Sequence, residues 1–476
     1  MSWFLCYLAI GWCIRLGMIP VVLRRQLAPG ASLAWLGIVF LHPYIGAILY
    51  LFLGESRLGP RRAERHASVT NRLRDPARHP ERPRHETQPD VGQSVEPMTL
   101  QAEKIADLPV LAGNDVTFIT DAGKFVDALI ERIDAAKVSA HLLYYIFAND
   151  QPATRVCEAL VAAAKRGVQC RLLADAVASR PFFGRGGLAR GLRSSGVQVA
   201  SALPVALVRR RFARMDLRNH RKLAVIDDKL AFCGSHNLCD PRYGGRRGNP
   251  WYDVTGRFAG PIVSELATVF AEDWFFETGE ELELPSPQRL EPSGDIPMQA
   301  VPTGPLGPGH TYRRLLLAAI QCSRKELMLT TPYFIPDETT MLSLMMAADR
   351  GVKVTLIVPR VGDQIATALA GRAHFHELLD AGVSINLYKP GLLHAKTTTV
   401  DDAFALFGSA NLDVRSFNLN FELSLLLYGS PVTNRLREIQ KGFLRDSDPV
   451  EPAVWAKRPK WTQYADSAVS LLSPLL

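Results

Sequence analysis

Six residues recur at identical spacing in two places along this chain. His220-x-Lys222-x4-Asp227-x6-Gly234-Ser235-x-Asn237 returns as His394-x-Lys396-x4-Asp401-x6-Gly408-Ser409-x-Asn411, 394 − 220 = 174 residues later. Coincidence does not produce six matches in register, so the chain is a duplication of one folding unit. The flanks repeat too. Ala164-Lys-Arg-Gly-Val-Gln-Cys-Arg-Leu-Leu173 parallels Ala348-Asp-Arg-Gly-Val-Lys-Val-Thr-Leu-Ile357, and Gly196-Val-Gln-Val parallels Gly382-Val-Ser-Ile. Each long repeat reads as a helix end, a glycine stop and a buried strand. Leu223–Ile226 and Thr397–Val400 read as strands, Ala231–Cys233 and Ala405–Phe407 as their neighbours, with Asp-rich turns between. Alternating helices and strands predict two tandem α/β lobes, each with a parallel or mixed sheet flanked by helices. The Pro/Gly-rich stretch 285–309 reads as the connection between them.

Side chains alternate across a strand, so His220 and Lys222 share a face, as do Ser235 and Asn237, and Ser409 and Asn411. Each unit offers one imidazole, one ammonium and small polar groups, and two packed units bring both sets together. Two His, two Lys and two Asn, without a carboxylate-rich metal cluster, suit an anionic phosphorus centre. Lys is a compact cation for phosphate, and Ser and Asn donate to nonbridging oxygens. A neutral His can attack while a protonated one releases the leaving alcohol, a division that a pair in slightly different surroundings can sustain. His374 and His376 lack this company and read as helix surface or pocket wall. His236 and Cys233, inside the first motif, receive no role.

The N-terminal end is different. Residues 3–23 and 31–53 are apolar runs, and the second has 23 positions without a charge. As one helix it would extend about 35 Å, enough to cross a bilayer core of about 30 Å. The first run is interrupted by Arg15 and Pro20, and an interfacial segment competes with a span there. A signal peptide fits poorly, because no basic region precedes the run and a second apolar run follows. A transmembrane hairpin over 1–55 is the expectation. Arg24 and Arg25 in its turn, and Arg57, Arg61, Arg62 and Arg65 after it, place the rest of the chain on the cytoplasmic side.

Charge agrees with a membrane surface. The net charge is +8; residues 57–85 carry nine Arg against three acids, 9 − 3 = +6, and residues 205–222 carry seven cations against one acid, 7 − 1 = +6. The remainder is therefore about 8 − 12 = −4, so the basic total is two local patches rather than a nucleic-acid-binding composition. The first patch suits anionic headgroups. The second runs into the first motif and would draw anionic lipid toward it, unless it is simply a solvated face. Residues 66–98, rich in Pro, Arg, His and Glu, read as a linker. The seven cysteines are odd in number, with no C-x-x-C pair, which fits a reducing compartment. The expected division is 1–55 membrane hairpin, 56–100 juxtamembrane linker, 101–290 first lobe, and 291–476 second lobe with an interfacial or packed C-terminal tail carrying Trp455, Trp461 and Tyr464.

The two His-x-Lys-x4-Asp units resemble the phospholipase D superfamily. The segments AWLGIVFLHPYIGAILYLFLGESRLGPRRAER, RRFARMDLRNHRKLAVID, VFAEDWFFETGE, LTTPYFIPDE, LLHAKTTTVDD and GSANLDVRSFNLNFE, with the tail, are similar to bacterial cardiolipin synthases of type A over nearly the whole chain. The resemblance implies two lobes around one active site. It implies phosphatidyl transfer between two phosphatidylglycerols through a phosphohistidine, without metal or other cofactor, at the bacterial inner membrane. His220 would be the nucleophile and His394 the acid and base. Lys222, Lys396, Ser235, Asn237, Ser409 and Asn411 would hold phosphate oxygens, while Asp227 and Asp401 would serve structurally. Downstream carboxylates orient such histidines, and Asp253 is expected to serve His220 and Glu422 to serve His394. The first motif departs from the common pattern at Gly-Ser-His-Asn, where many relatives have a second glycine, and no reacting group is lost. The expected partners are phosphatidylglycerol and other anionic membrane lipids, with no nucleic acid. A hydrolytic phospholipase D and a membrane-tethered nuclease use the same motif and remain alternatives, and a noncatalytic scaffold is a third. Oligomeric state stays open.

Overall fold

A computed structural model describes residues 3–24, 29–54, 60–74, 84–93, 95–204, 217–243, 249–284, 291–305 and 310–471. They fall into two units, an N-terminal helical one and a larger one comprising residues 61–204 and 218–471.

In the N-terminal unit the first apolar run is one helix, Trp3–Leu23. Its 21 residues, about 32 Å at 1.5 Å each, are long and apolar enough to cross a membrane, and no other described helix is. The second run is not the single helix expected. It is divided into Pro29–Leu41, Pro43–Leu49 and a π-helical turn, Tyr50–Gly54. The break follows from Pro43. Its ring leaves no N–H for the helix ladder and drives His42 to φ −133°, ψ 81°. The pieces still pack on the first helix: Tyr44 Oη donates to the Tyr7 carbonyl at 2.6 Å, and Arg15 Nε donates to the Phe40 carbonyl at 2.9 Å.

The larger unit is built on one 15-stranded mixed sheet. At its middle, Leu111–Ile119 pairs antiparallel with Ile296–Thr303. Outward on one side come Thr255–Ala259, Leu230–Gly234, Lys222–Ile226, Ser139–Tyr144, Gln169–Asp175 and Gln198–Ala202. Outward on the other come Glu422–Tyr428, Phe404–Gly408, Thr397–Val400, Glu326–Thr330, Lys353–Pro359 and Ser384–Tyr388, with Ser447–Pro449 added at the edge. The order matches strand for strand, and in each half the same three outer strands run parallel. The duplicated sequence is thus a duplicated α/β half-sheet with helices on its faces.

Local chemistry explains the repeated crossovers. Asp150 and Asp337 cap the helices Gln151–Lys165 and Glu338–Asp349 by accepting from the N–H groups of Ala153 and Thr340. Gly167 and Gly351, at φ +89° and +81°, turn each chain back into its next strand in a conformation that only glycine adopts without strain.

Two expectations about connections are corrected. Ile296–Thr303, within the stretch read as the inter-lobe connection, is a central strand. Residues 285–290 and 306–309 of that stretch lie outside the described residues. The segment read as a linker contains the helix Pro60–Leu73, whose Val69 and Leu73, four apart on one face, enter the core. Arg74 follows, and its guanidinium bonds Glu272 at 2.6 and 2.9 Å, with Glu272 2% exposed. The helix Glu96–Ala106 adds Met98 and Ala102 to the same core. A handful of apolar side chains at helical spacing therefore anchors part of a segment whose average composition reads as unstructured.

Candidate active site

Two short stretches of backbone cross between the lobes. Trp251–Tyr252 of the first lobe pairs parallel with Leu392–Leu393 of the second, Trp251 opposite Leu392 and Tyr252 opposite Leu393. The next residues in that register are Asp253 and His394, and the His394 N–H donates to the Tyr252 carbonyl at 2.8 Å. On the other side Asn219 bridges Phe421, and the His220 N–H donates to the Phe421 carbonyl at 2.9 Å. The next residues there are His220 and Glu422.

Each histidine consequently meets the carboxylate of the other lobe. His220 Nδ1 lies 3.0 and 2.9 Å from Glu422 Oε1 and Oε2, and His394 Nδ1 lies 2.6 Å from Asp253 Oδ1. The assignment of Asp253 to His220 and Glu422 to His394 is therefore reversed. Proximity along the chain suggested it, and backbone pairing across the lobes overrules it. Glu422 is held in turn by Ser409 Oγ at 2.6 Å, Ser416 Oγ at 2.9 Å and Asn420 Nδ2 at 3.2 Å. An ionised carboxylate only accepts, so each imidazole carries its proton on Nδ1 and leaves Nε2 with a lone pair.

The electrostatics agree with that state. Burial pushes both imidazoles down against the pull of their carboxylates, His220 to about 4 and His394 to about 3. Burial raises the carboxylates' pKa values, but His220 and His394, with the lysines, more than offset this, and both acids end below their usual range. Lys222 is lowered to about 7 by burial and by the charge of Lys396, and Lys396 is lowered by burial to about 8. Their ammonium groups donate to the carbonyls of His220 and His394 at 2.6 and 2.5 Å. The site thus holds neutral imidazoles and two costly cations, and a bound anion would stabilise the protonated forms of all four.

Both histidines line a cavity of about 210 Å³. Tyr145 stands edge-on to His220 at 4.7 Å and Trp251 is tilted against His394 at 4.6 Å, ring centre to ring centre. Asn237 and Asn411 also line it, as do Arg218, Tyr333, Asp363, Asp413, Arg415 and Asn420. Ser235 and Ser409 do not. Ser235 exchanges hydrogen bonds with the backbone of Val254, and Ser409 holds Glu422. Asp227 and Asp401 sit at the far ends of the strands that begin beside the histidines. Asp227 accepts from the N–H groups of Lys137, Val138 and Ser139 at 2.7–2.9 Å, and Asp401 from those of Arg324, Lys325 and Glu326 at 2.7–2.9 Å. Within the second basic patch, Arg218 is paired with Asp175 at 3.2 Å and Arg221 with Asp273 at 2.8 Å, both buried, so these two are structural cations rather than part of a solvated face. Arg209, Arg210, Arg211 and Arg214 lie outside the described residues. His376 is an exposed partner of Asp380, away from the cavity.

Sequence reasoning did not assign Tyr333, Asp363, Asp413, Arg415 or Asn420. Tyr333, Asp413, Arg415 and Asn420 lie in the segments that carry the family resemblance. Asp363 carries no local signal, because only folding brings its loop to the cavity.

The family described as "Cardiolipin synthase, PLD-like domain" matches residues 129–274 and 316–444, and "Phospholipase_D-nuclease N-terminal" matches residues 4–55. The chain is 34% identical to cardiolipin synthase A of Klebsiella pneumoniae over 484 aligned positions, covering 99% of each chain. It is 34% identical to cardiolipin synthase A of Yersinia pseudotuberculosis over 471 positions, covering 98% of this chain and 97% of that one. The fold is shared with the crystal structure of phosphatidylserine synthase from Haemophilus influenzae, at TM-score 0.61 and 15% identity over 80% of this chain and 100% of that one. The full-length likeness and the paired motif lobes agree, and the chain belongs to the cardiolipin synthase family, phosphatidyltransferases of the phospholipase D superfamily.

Proposed function

We propose that the protein joins two phosphatidylglycerol molecules into cardiolipin, releasing glycerol. The observation that carries this is the pair of crossed histidine–carboxylate dyads on one cavity, in a chain aligned nearly end to end with cardiolipin synthases. His220 Nε2 attacks the phosphorus, and the bond from phosphorus to the glycerol headgroup breaks. His394, protonated once the anionic diester is bound, gives its proton to the departing oxygen. The phosphatidyl group is then on His220. His394, now neutral, takes a proton from a glycerol hydroxyl of the second lipid, whose oxygen attacks phosphorus and frees His220. Lys222, Lys396 and the amide of Asn237 stabilise charge on the phosphoryl oxygens, an effect strengthened by exclusion of water. Asp227 and Asp401 brace strands. Asp253 and Glu422 fix the tautomers.

In this reading Trp3–Leu23 and the kinked apolar run anchor the protein in the bacterial inner membrane as a hairpin. The Arg-bearing turn and flank place the catalytic unit in the cytoplasm, against anionic lipid. Purified full-length protein in vesicles of phosphatidylglycerol tests the proposal: cardiolipin and glycerol should appear in equal amounts. Phosphatidic acid without cardiolipin would make it a hydrolase, and cleavage of DNA with no lipid product would make it a nuclease.

A further inference from the structure

The two lobes are near-copies, but the cavity they share is not symmetric. The bridges Phe147 to Leu238 and Phe334 to Leu412 occupy the same place in each lobe, so Ile146 corresponds to Tyr333, Asn237 to Asn411 and Cys239 to Asp413. On the first lobe's side, Ile146, Ala148 and Cys239 form an apolar cluster. On the second lobe's side two of these positions are polar, Tyr333 and Asp413, while Ile335 answers Ala148. Tyr333 Oη donates to Asp363 at 2.9 and 2.8 Å, Asp413 replaces the cysteine, and Asp363 has moved in beside them.

The two asparagines face the cavity with opposite chemistry. Asn237 Oδ1 accepts from the Ile146 N–H at 3.1 Å, which leaves its Nδ2 donor without a partner among the described residues. Asn411 instead spends its amide on Asp413, which leaves its Oδ1 acceptor without one. Asn411 is 4% exposed and lines the cavity, so that oxygen is a buried acceptor waiting for a donor. An ionised phosphodiester has only acceptors and cannot satisfy it. A hydroxyl can. The charge of this wall is already answered. Asp363 accepts from the Tyr333 hydroxyl, Asp413 accepts from the Ser416 N–H and the Asn411 amide, and the cations facing these two carboxylates are Lys396 and Arg415. What remains is a set of acceptors suited to a neutral polyol rather than a bare cation.

We propose that Tyr333, Asp363, Asn411 and Asp413 form a subsite for the hydroxyls of a polyol headgroup, selecting a vicinal diol over a simple alcohol. This rests on the phosphatidyl-transfer reading for the phosphodiester and adds what recognises its alcohol. The matching atoms in the first lobe, a donor beside apolar side chains, serve the phosphoryl oxygens instead.

The test is calorimetric binding to the full-length protein at low temperature. Three water-soluble diesters are compared: butyl glyceryl phosphate, butyl propyl phosphate and butyl 2-aminoethyl phosphate. The glyceryl diester should bind about tenfold or more tightly than the propyl one, because the latter leaves buried acceptors unpaired. Asp363→Asn and Tyr333→Phe should each cut that ratio to about threefold or less, with propyl affinity unchanged as the sign of an intact fold. Equal binding of the glyceryl and propyl diesters by the unmodified protein would overturn the proposal. So would an unchanged ratio in both variants, or tightest binding of the aminoethyl diester. Turnover of phosphatidylglycerol vesicles by the same preparation reports separately on the reaction. Diol selectivity without cardiolipin would remove the transfer reading and keep the subsite, and cardiolipin without diol selectivity would do the reverse.

Discussion

His220 of the first lobe is hydrogen-bonded through Nδ1 to Glu422 of the second, 202 residues away, at 2.9 Å. Neither half of the duplication can complete its own histidine. The second dyad, His394 with Asp253, is built in the same way and spans 141 residues. The site therefore exists only when the lobes are docked, and the docking is read out by two short parallel backbone pairings immediately preceding the reacting groups.

Glu422→Gln and Asp253→Asn are expected to lower turnover about a thousandfold or more each, because an amide can donate to Nδ1 and force the proton onto Nε2. The diagnostic is which step fails. Glu422→Gln should block formation of the lipid–protein adduct, whereas Asp253→Asn should let adduct form and slow its resolution by the hydroxyl of the second lipid. Rapid-quench measurement of adduct in both variants checks this, and the opposite pattern would exchange the roles of the two dyads.

His220→Ala should leave no trapped lipid on the protein, and His394→Ala should accumulate slowly resolving phosphatidyl-enzyme. Mass spectrometry of the denatured proteins after mixing with phosphatidylglycerol distinguishes them. Robust turnover by His220→Ala would remove it as nucleophile.

The buried lysines oppose folding. Lys222 has its pKa lowered from 10.5 to about 7, so above that pH the native state binds fewer protons than the unfolded chain. Stability from this group is accordingly lowest below pH 7, rises between about 7 and 10.5, and is level above. Lys222→Met should be inactive yet should stabilise the protein at pH 6 by a few kcal/mol relative to its effect at pH 10, since each pH unit of that window is worth about 1.4 kcal/mol at most. Thermal melts at the two pH values decide the matter; equal effects at both would mean that the ammonium is not the costly group. In the same way, binding a soluble phosphodiester at pH 8.5 should be accompanied by proton uptake, visible as a dependence of the binding enthalpy on the buffer.

Asp227→Ala should leave the turnover of folded protein within about twofold and lower stability by roughly 2–4 kcal/mol, since three backbone N–H groups lose a charged acceptor. Asp227→Asn should recover part of the loss, as Asn tolerates the left-handed backbone found there at φ +52°. Urea denaturation beside the lipid assay checks both. A collapse of activity in well-folded Asp227→Ala would bring the residue into the reaction.

Arg74→Ala should cost roughly 3–5 kcal/mol, because it strands the Glu272 carboxylate in the core. Melting of the full-length variant measures it. A change below about 1 kcal/mol would mean that the residues around Arg74 behave as the linker their composition suggests.

The sequence alone determined the duplication, the α/β class and the family, and it singled out the two histidines that the structure brings to one cavity. These are local or periodic properties: fixed spacing, strand alternation and glycine stops are written contiguously and survive in any copy of the unit. The resemblance, rather than any spacing, pointed to Asp253 and Glu422 as carboxylates downstream of the motifs. What it paired wrongly was decided by tertiary structure alone, because a dyad joining residue 220 to residue 422 depends on the register of one lobe's backbone against the other's. The kink at His42–Pro43 was written in the sequence but hidden by hydropathy, which averages over the missing N–H. The anchoring of residues 69–74 shows in the sequence only as Val69 and Leu73 four apart in a polar stretch, and the asymmetry of Asn237 and Asn411 emerges only once their neighbours are known. Two identical asparagines in identical motifs present a donor and an acceptor because their neighbours in space, the Ile146 backbone and the Asp413 carboxylate, differ.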